Sequence, residues 1–390
     1  MKRSLHAVAP LLAALMLGAC GVTNPVTGEQ EMGLVSDSTE LKIGRDQYAP
    51  TRQSEGGDFR LDPELSAYVR QVGNRLAAVS DRKLPYEFTV VNDSTPNAWA
   101  LPGGKIGINR GLLTELNSEA ELAAVLSHEI VHAAARHSAQ GMERSTMLTG
   151  ALVAASVALG GSQYHDIALQ GARLGASAVN QTYSRDAERE ADFYGIQYMV
   201  RAGYDPQAAV SLQETFVRLS GEGRADWLSG LFASHPPSVE RVENNRKAVA
   251  RFAQAKADVG TAEYRRRLAY LRKVQPAYEA YDKGRAALKE KDFAKAAAMA
   301  RKAIAIEPRE ALFYSLKADA RIGEGDYPAA LKDYDQALSR DSGYYRHFLM
   351  RGLLREELGN RAGAAADLRN SYRLLPTKTA RDHLVRLSGS

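Results

Sequence analysis

Apolar side chains recur at helical intervals through most of this chain and fall into short strand-like runs in one region. Leu122, Val125, Leu126, Ile130 and Val131 form a helical stripe, and Ser118 followed by Glu121 ahead of it has the form of a capping box. A second stripe, Leu65, Tyr68, Val69, Val72 and Leu76, follows the helix-start signal Asp62-Pro63, and residues 36–80 read as helical packing elements. Phe88-Thr89-Val90-Val91 and Lys105-Ile106-Gly107-Ile108-Asn109 read as strands. Pro102-Gly103-Gly104 between them is a turn signal, so a hairpin is the simplest arrangement. The apolar run over 146–159 is too short to cross a bilayer comfortably. It predicts a core helix, the alternative being a segment that dips into the bilayer or shields a cleft. The glycine-rich stretch from Gly160 to Gly175 predicts a mobile loop.

Further on, the chain repeats itself with a period of 34: Gly284, Ala318 and Gly352 align, as do Asp292, Asp326 and Asn360, and Ala296, Ala330 and Ala364. Phe293 aligns with Tyr327, and Pro308, Ser342 and Pro376 close the units. Small residues at fixed positions let paired helices cross closely. Three such units have the tetratricopeptide pattern and predict a stack over 276–378. The concave face of such a stack binds peptide segments or partner proteins; a rigid spacer is the plainer role. Residues 251–275 read as a helical connector and 379–390 as a solvating cap or tail.

With 390 residues, 45% of them apolar and 25% charged, the chain has the length for two to three globular domains. A net charge of +5 is too mild to point to nucleic acid. The first residues change the picture more. Lys2, Arg3, the apolar Val8-to-Leu17 stretch and Leu17-Gly18-Ala19-Cys20 compose an export signal whose end resembles a bacterial lipobox. That resemblance implies removal of residues 1–19, acylation of Cys20, and a lipidated tether over 20–35. Gly21 after the cysteine favours, by the same resemblance, the outer membrane of a two-membrane bacterium. Two or three acyl chains hold a protein firmly at a membrane surface. Cys20 is the only cysteine, so no disulfide can form within one molecule.

The chemistry concentrates in Ser127-His128-Glu129-Ile130-Val131-His132. His128 and His132, four apart on the predicted helix, share a face and can bind one metal ion. Glu129 can then take a proton from a water that the ion polarises. A catalytic zinc site needs a third protein ligand and one open position. The helix predicted from Ser184 offers Glu188, and Asp192 one turn on can accept a hydrogen bond from a ligand histidine's free ring nitrogen. Asn97, Ala98, Trp99 and Ala100 can form an open sheet edge that pairs with an extended substrate backbone, or an ordinary hairpin arm with Trp99 buried.

Four motifs occur in order: Asn97-Ala98-x-x-x-Pro102-Gly103-Gly104, His128-Glu129-x-x-His132, Glu188-x-x-Ala191-Asp192, and Ser234-His235-Pro236-Pro237 with Arg241 after it. With them the chain resembles the gluzincin peptidases of the CAAX-prenyl-protease and HtpX-like family. The resemblance implies a mainly α fold. An α+β zincin-like metallopeptidase domain over 36–250, helical with a small β-sheet, would precede an α-helical tetratricopeptide repeat solenoid. It further implies one Zn2+ per chain on His128, His132 and Glu188, Glu129 as general base, and Asp192 and Arg241 supporting the ligands. His235 has three readings: a loop histidine before a Pro-Pro turn, a stabiliser of the reaction's oxyanion, or a fourth zinc ligand that displaces the water. The last would leave the enzyme switched off at rest, as in a periplasmic relative. The integral-membrane members' transmembrane helices have no counterpart here, so a prenyl-protein substrate is not implied.

The expected function is therefore a zinc metalloendopeptidase, lipid-anchored to the outer membrane in the periplasm. It would act in quality control or assembly of envelope proteins. Its substrates would be unfolded or misfolded envelope proteins, and its repeats would dock the outer-membrane β-barrel assembly machinery. A chaperone or assembly factor with a largely latent protease site is the alternative, and a scaffold in which only the repeats matter is a third.

Overall fold

A computed structural model describes residues 21–158, 183–221, 225–252 and 259–388. The export signal, Cys20 and the Gly160-to-Gly175 stretch lie outside the described residues. The segment expected to be a tether is instead a hairpin of β1 (Gly21–Thr23) and β2 (Gln30–Met32), paired antiparallel. Asn24 at its turn is fully buried, and its Oδ1 accepts from Val26 N at 2.9 Å, an Asx turn that apolar periodicity does not reveal.

α1 (Asp37–Ser54) and α2 (Pro63–Ala77) start where their caps place them: Ser36 Oγ accepts from Thr39 N, and Asp62 Oδ1 from Leu65 N at 3.0 Å ahead of a first-turn proline. A three-stranded sheet follows, built from β3 (Glu87–Val91), β4 (Ala98–Leu101) and β5 (Lys105–Asn109) in the order β3-β5-β4. The expected turn joins β4 to β5 as an antiparallel hairpin, with Gly103 and Gly104 at φ 74° and 80°, where a side chain would be strained. The other edge departs from a simple hairpin, because β3 runs parallel to β5 with Phe88 beside Ile106. All five β5 residues are buried, and continuous burial has no alternation from which pairing can be read. Gly107 is required at the centre of β5: a Cβ there would lie 2.3 Å from the Trp99 ring.

α3 (Arg110–Glu115) leads to α4 (Glu119–Ala134), which is buried along almost its whole length. Ser118 Oγ accepts from Glu121 N at 3.1 Å, and the Glu121 carboxylate reaches back to Asn117 N at 2.7 Å, one residue earlier than in the usual capping box. After Ala135 the buried Arg136 adopts φ 63° and starts α5 (His137–Ala158). Its guanidinium donates to Glu40 Oε1 at 2.6 Å and also to Val35 O. Met147 and Leu148 on α5 are exposed, so at these positions the expected core helix is not buried. Among the described residues no helix is long and apolar enough to cross a membrane.

α6 (Arg185–Arg201), α7 (Gln207–Gly221), α8 (Ala225–Ser234) and α9 (Val239–Ala250) complete the expected peptidase segment. α10 (Thr261–Arg267) and the start of α11 (Ala269–Lys289) are helical as expected of a connector, but they do not merely connect. Tyr264, Leu268, Leu271 and Val274 are buried in the same core as Leu122 and Ile130, and Tyr264 OH donates to Leu113 O at 2.7 Å. Tyr264→Ala is expected to lower stability by roughly 3–5 kcal/mol, as for other large aromatic truncations in a core, measured by denaturant unfolding.

α12 (Phe293–Ile306), α13 (Ala311–Gly323), α14 (Tyr327–Arg340), α15 (Tyr345–Glu357) and α16 (Arg361–Leu374) pack successively on α11 and on one another as the repeat solenoid. Asp292, Asp326 and Asn360, the aligned polar residues, are the N-caps of α12, α14 and α16. Of the expected cap or tail, the structure shows the cap: α17 (Lys378–Ser388) packs on the last repeat, with Ala380 buried and His383 Nδ1 2.6 Å from Glu356 Oε2. The solenoid is clasped to the peptidase at two places. At the first, buried Arg110 donates to Asn92 Oδ1 (2.8 Å) and Ser94 Oγ (2.7 Å) and lies 3.4 Å over the Tyr278 ring. Tyr278 OH and Asn92 Nδ2 both donate to Glu310 Oε2, at 2.6 and 3.2 Å. At the second, Gln53 Nε2 donates to Gly343 O and its Oε1 accepts from Tyr345 N, both at 2.8 Å.

Candidate metal centre

Three elements converge: α4 brings His128, Glu129 and His132, α6 brings Glu188 and Asp192, and the residue after α8 is His235. His128 Nε2 lies 3.0 Å from His132 Nε2 and 3.3 Å from His235 Nδ1. The Glu188 carboxylate lies 2.9 Å from His235 Nδ1, 3.4 Å from His132 Nε2 and 3.5 Å from His128 Nε2. All four side chains offer one ligand atom into a single buried group spanning no more than 4.8 Å. Tetrahedral ligands about 2.0–2.1 Å from a zinc ion stand roughly 3.3 Å apart. The observed separations match that shell, and three imidazoles with a carboxylate are zinc's usual donors, so the residues fit the ion.

Around these atoms stand the residues expected to support them. Asp192 Oδ1 is 3.0 Å from His128 Nδ1. Arg241 grips both Asp192 oxygens at 2.7 Å and lies 2.9 Å from Glu188 Oε2. The Ser238 hydroxyl, which accepts from Arg241 N at 3.1 Å, caps α9 and sets that arginine on its first turn. Burial opposes charge on Glu188, but His235 and His128 hold its carboxyl well below the usual range. Burial also opposes charge on Asp192, which Arg241 keeps low. Glu129 goes the other way: its burial outweighs the pull of His235 and His128, and its pKa is raised. Two carboxylates pushed apart in this way suit different work, Glu188 favouring its charged form and Glu129 its protonated one. The histidines diverge too. Burial disfavours charge on His128, yet Glu188 and Asp192 lift its pKa to about 10, whereas burial pushes His132 well below its ordinary value.

The β4 edge reaches the same place. Asn97 O accepts from Asn109 N at 2.8 Å, so the alternate residues Ala98 and Ala100 direct their backbone groups away from β5. Ala100 O is met there by Tyr183 OH at 3.4 Å, and the Tyr183 ring stacks on His132 with centroids 3.7 Å apart. Trp99 is half-buried, and its Nε1 and Asn97 Oδ1 have no hydrogen-bond partner among the described residues. A cleft of about 800 Å³ runs from His235, Tyr183 and Trp99 to Tyr281, Arg285 and Tyr344 of the repeats.

Sequence reasoning assigned no role to Tyr183, the residue before the Ser184 helix start, and missed His137 altogether. His137 Nδ1 is 2.8 Å from His132 Nδ1. A histidine five residues after a ligand falls off the helical face, and only the left-handed Arg136 brings it back. That conformation carries no mark in the sequence, since arginine seldom adopts it.

The model of peptidase family M48 matches residues 63–249, a span that holds every residue of the cluster. Metalloprotease YcaL of Escherichia coli (strain K12) is 33% identical over 263 residues, 64% of this chain and 99% of that protein. The chain belongs to peptidase family M48. A second relative within reach of this family's motifs, the beta-barrel assembly-enhancing protease of the same organism, is 32% identical over 253 residues, 61% of this chain and 49% of its own length. The chain thus spans about half the length of that relative. Among solved structures, the Arabidopsis OM64 TPR domain matches 30% of this chain and 98% of its own length at 31% identity, with a TM-score of 0.29.

Proposed function

We propose that this M48 chain is a zinc metalloendopeptidase, and the observation that carries the reading is the convergence of His128, His132, Glu188 and His235 beside Glu129. His128, His132 and Glu188 would hold the ion, which when bound polarises a water and the scissile carbonyl. Glu129 is the base. It is buried, its Oε2 has no hydrogen-bond partner among the described residues, and its raised pKa suits taking a proton during attack and giving it to the leaving amine. Asp192 holds His128 in the tautomer that leaves Nε2 free, and Arg241 holds Asp192. An extended peptide would add to β4 through the outward backbone groups of Ala98 and Ala100, displacing the Tyr183 hydroxyl.

His235 lies among the ligand atoms and also 3.5 Å from Glu129 Oε1, which favours its reading as a fourth ligand over that of a loop histidine. The enzyme would then rest restrained until His235 moves. The same placement supports the alternative of a chaperone or assembly factor whose protease site is largely latent. The relative's name supports a role near the assembly or quality control of outer-membrane β-barrels, with misfolded envelope proteins as clients and the repeats as the docking face for the assembly machinery. Lipid anchoring through Cys20 to the outer membrane rests on the lipobox resemblance alone. β1 begins at the next residue, Gly21, so acyl chains on Cys20 would hold the peptidase at the membrane surface.

The test is zinc content with casein degradation before and after chelation. About one zinc per chain and cleavage that stops on chelation and returns with Zn2+ are expected. Metal content without cleavage in wild type and in His235→Ala would turn the reading to the chaperone.

A further inference from the structure

A histidine that gives Nε2 to a metal carries its proton on Nδ1, and some neighbour must accept that proton. For His128 the neighbour is Asp192. For His132 it is another imidazole. Arg136, in the left-handed conformation, folds α5 back so that His137 Nδ1 comes to 2.8 Å from His132 Nδ1. His137 can accept there only if its own proton sits on Nε2. That nitrogen is buried and makes no hydrogen bond among the described residues, and the nearest carboxylate to it is Glu190, whose Oε1 stands 3.3 Å away.

Glu190 is fixed in turn from the N-terminal hairpin. Asn24 Nδ2 lies 3.4 Å from the same Glu190 oxygen, 3.4 Å from Ala135 O at the end of α4, and 2.7 Å from Glu31 Oε1. Gln140 Nε2 ties Glu31 Oε1 and Ala135 O together at 2.7 and 2.9 Å. The chain of contacts therefore runs from His132 through His137 and Glu190 to a fully buried asparagine four residues from Cys20.

We propose that His137, Glu190 and Asn24 form a positioning relay that fixes the tautomer and ring plane of His132, which makes the N-terminal hairpin part of the metal site's scaffold. The inference rests on the zinc reading above. None of the three touches the ion or the substrate. Their effect is on how well the site is preformed, and it is lost when the hairpin is unseated.

The test measures zinc affinity by chelator competition and the absorption spectrum of the Co2+-substituted full chain, for wild type, His137→Leu, His137→Asn, Glu190→Ala and Asn24→Leu. His137→Leu is expected to bind zinc about 10–100-fold more weakly, the usual effect of losing a ligand's hydrogen-bond partner, with an altered cobalt spectrum. His137→Asn, whose carboxamide oxygen can accept the Nδ1 proton, should recover most of that loss, which a purely structural role would not predict. Glu190→Ala and Asn24→Leu should weaken zinc in the same direction by smaller factors. Wild-type affinity and spectrum in His137→Leu would overturn the relay. If that variant does not fold, Asn24→Leu decides, and unchanged zinc affinity there overturns the hairpin's part. A wild-type chain that binds no zinc would instead remove the zinc reading itself.

Discussion

Glu129→Gln is expected to retain its zinc and to lose casein cleavage by about 10²–10⁴-fold, the range that a positioned general base contributes. The carboxamide keeps the shape of the side chain but cannot take the proton. Retention is expected because Glu129 is not among the four converging ligand residues. Its contact with His235 Nε2, at 3.5 Å, is peripheral to the ligand atoms. Zinc analysis and turnover on the same preparation check the two halves together. Normal cleavage by the variant would remove Glu129 from the chemistry, and loss of zinc would mean that it serves the site's electrostatics rather than the reaction.

His235→Ala is expected to act in the opposite direction. If the arrangement with His235 against Glu188 outnumbers the open one by about ten to one, removing the imidazole raises cleavage about tenfold, because apparent activity scales with the competent fraction. An opposite result also has a clear meaning. A fall of about 10²–10³-fold, the cost of losing one oxyanion donor, would assign His235 to the transition state instead. Comparison of casein with a short peptide would show whether the restraint depends on the substrate's size.

The convergence of the candidate ligands was legible in the sequence because they sit at helical spacings. His128 and His132 are one turn apart on α4, and Glu188 and Asp192 one turn apart on α6, so each pair's shared face follows from local geometry. Caps were legible for the same reason: Ser118, Asp62 and Ser184 bond within three residues of themselves. What escaped is what depends on contacts distant in sequence or on unusual backbone. Asn24 is held by Glu190, and His137 by the turn at Arg136. The parallel pairing of β3 with β5 escaped because a wholly buried strand presents no polar face. The repeats' period announced a separate solenoid, yet Tyr264 and Tyr278 are buried in one core with the peptidase, since apolar positions on a helix do not say which neighbour covers them.

The clasps at Arg110 and Gln53 hold the solenoid against the peptidase that carries the candidate metal centre. A client segment seated in the repeats would therefore lie at a constant distance from Glu129. An extended chain advances about 3.3 Å per residue. Cuts would then fall at a near-constant count of residues from the seated segment, over a range of local sequences. A protease so built would work as a gauge, choosing its bond by length rather than by spelling.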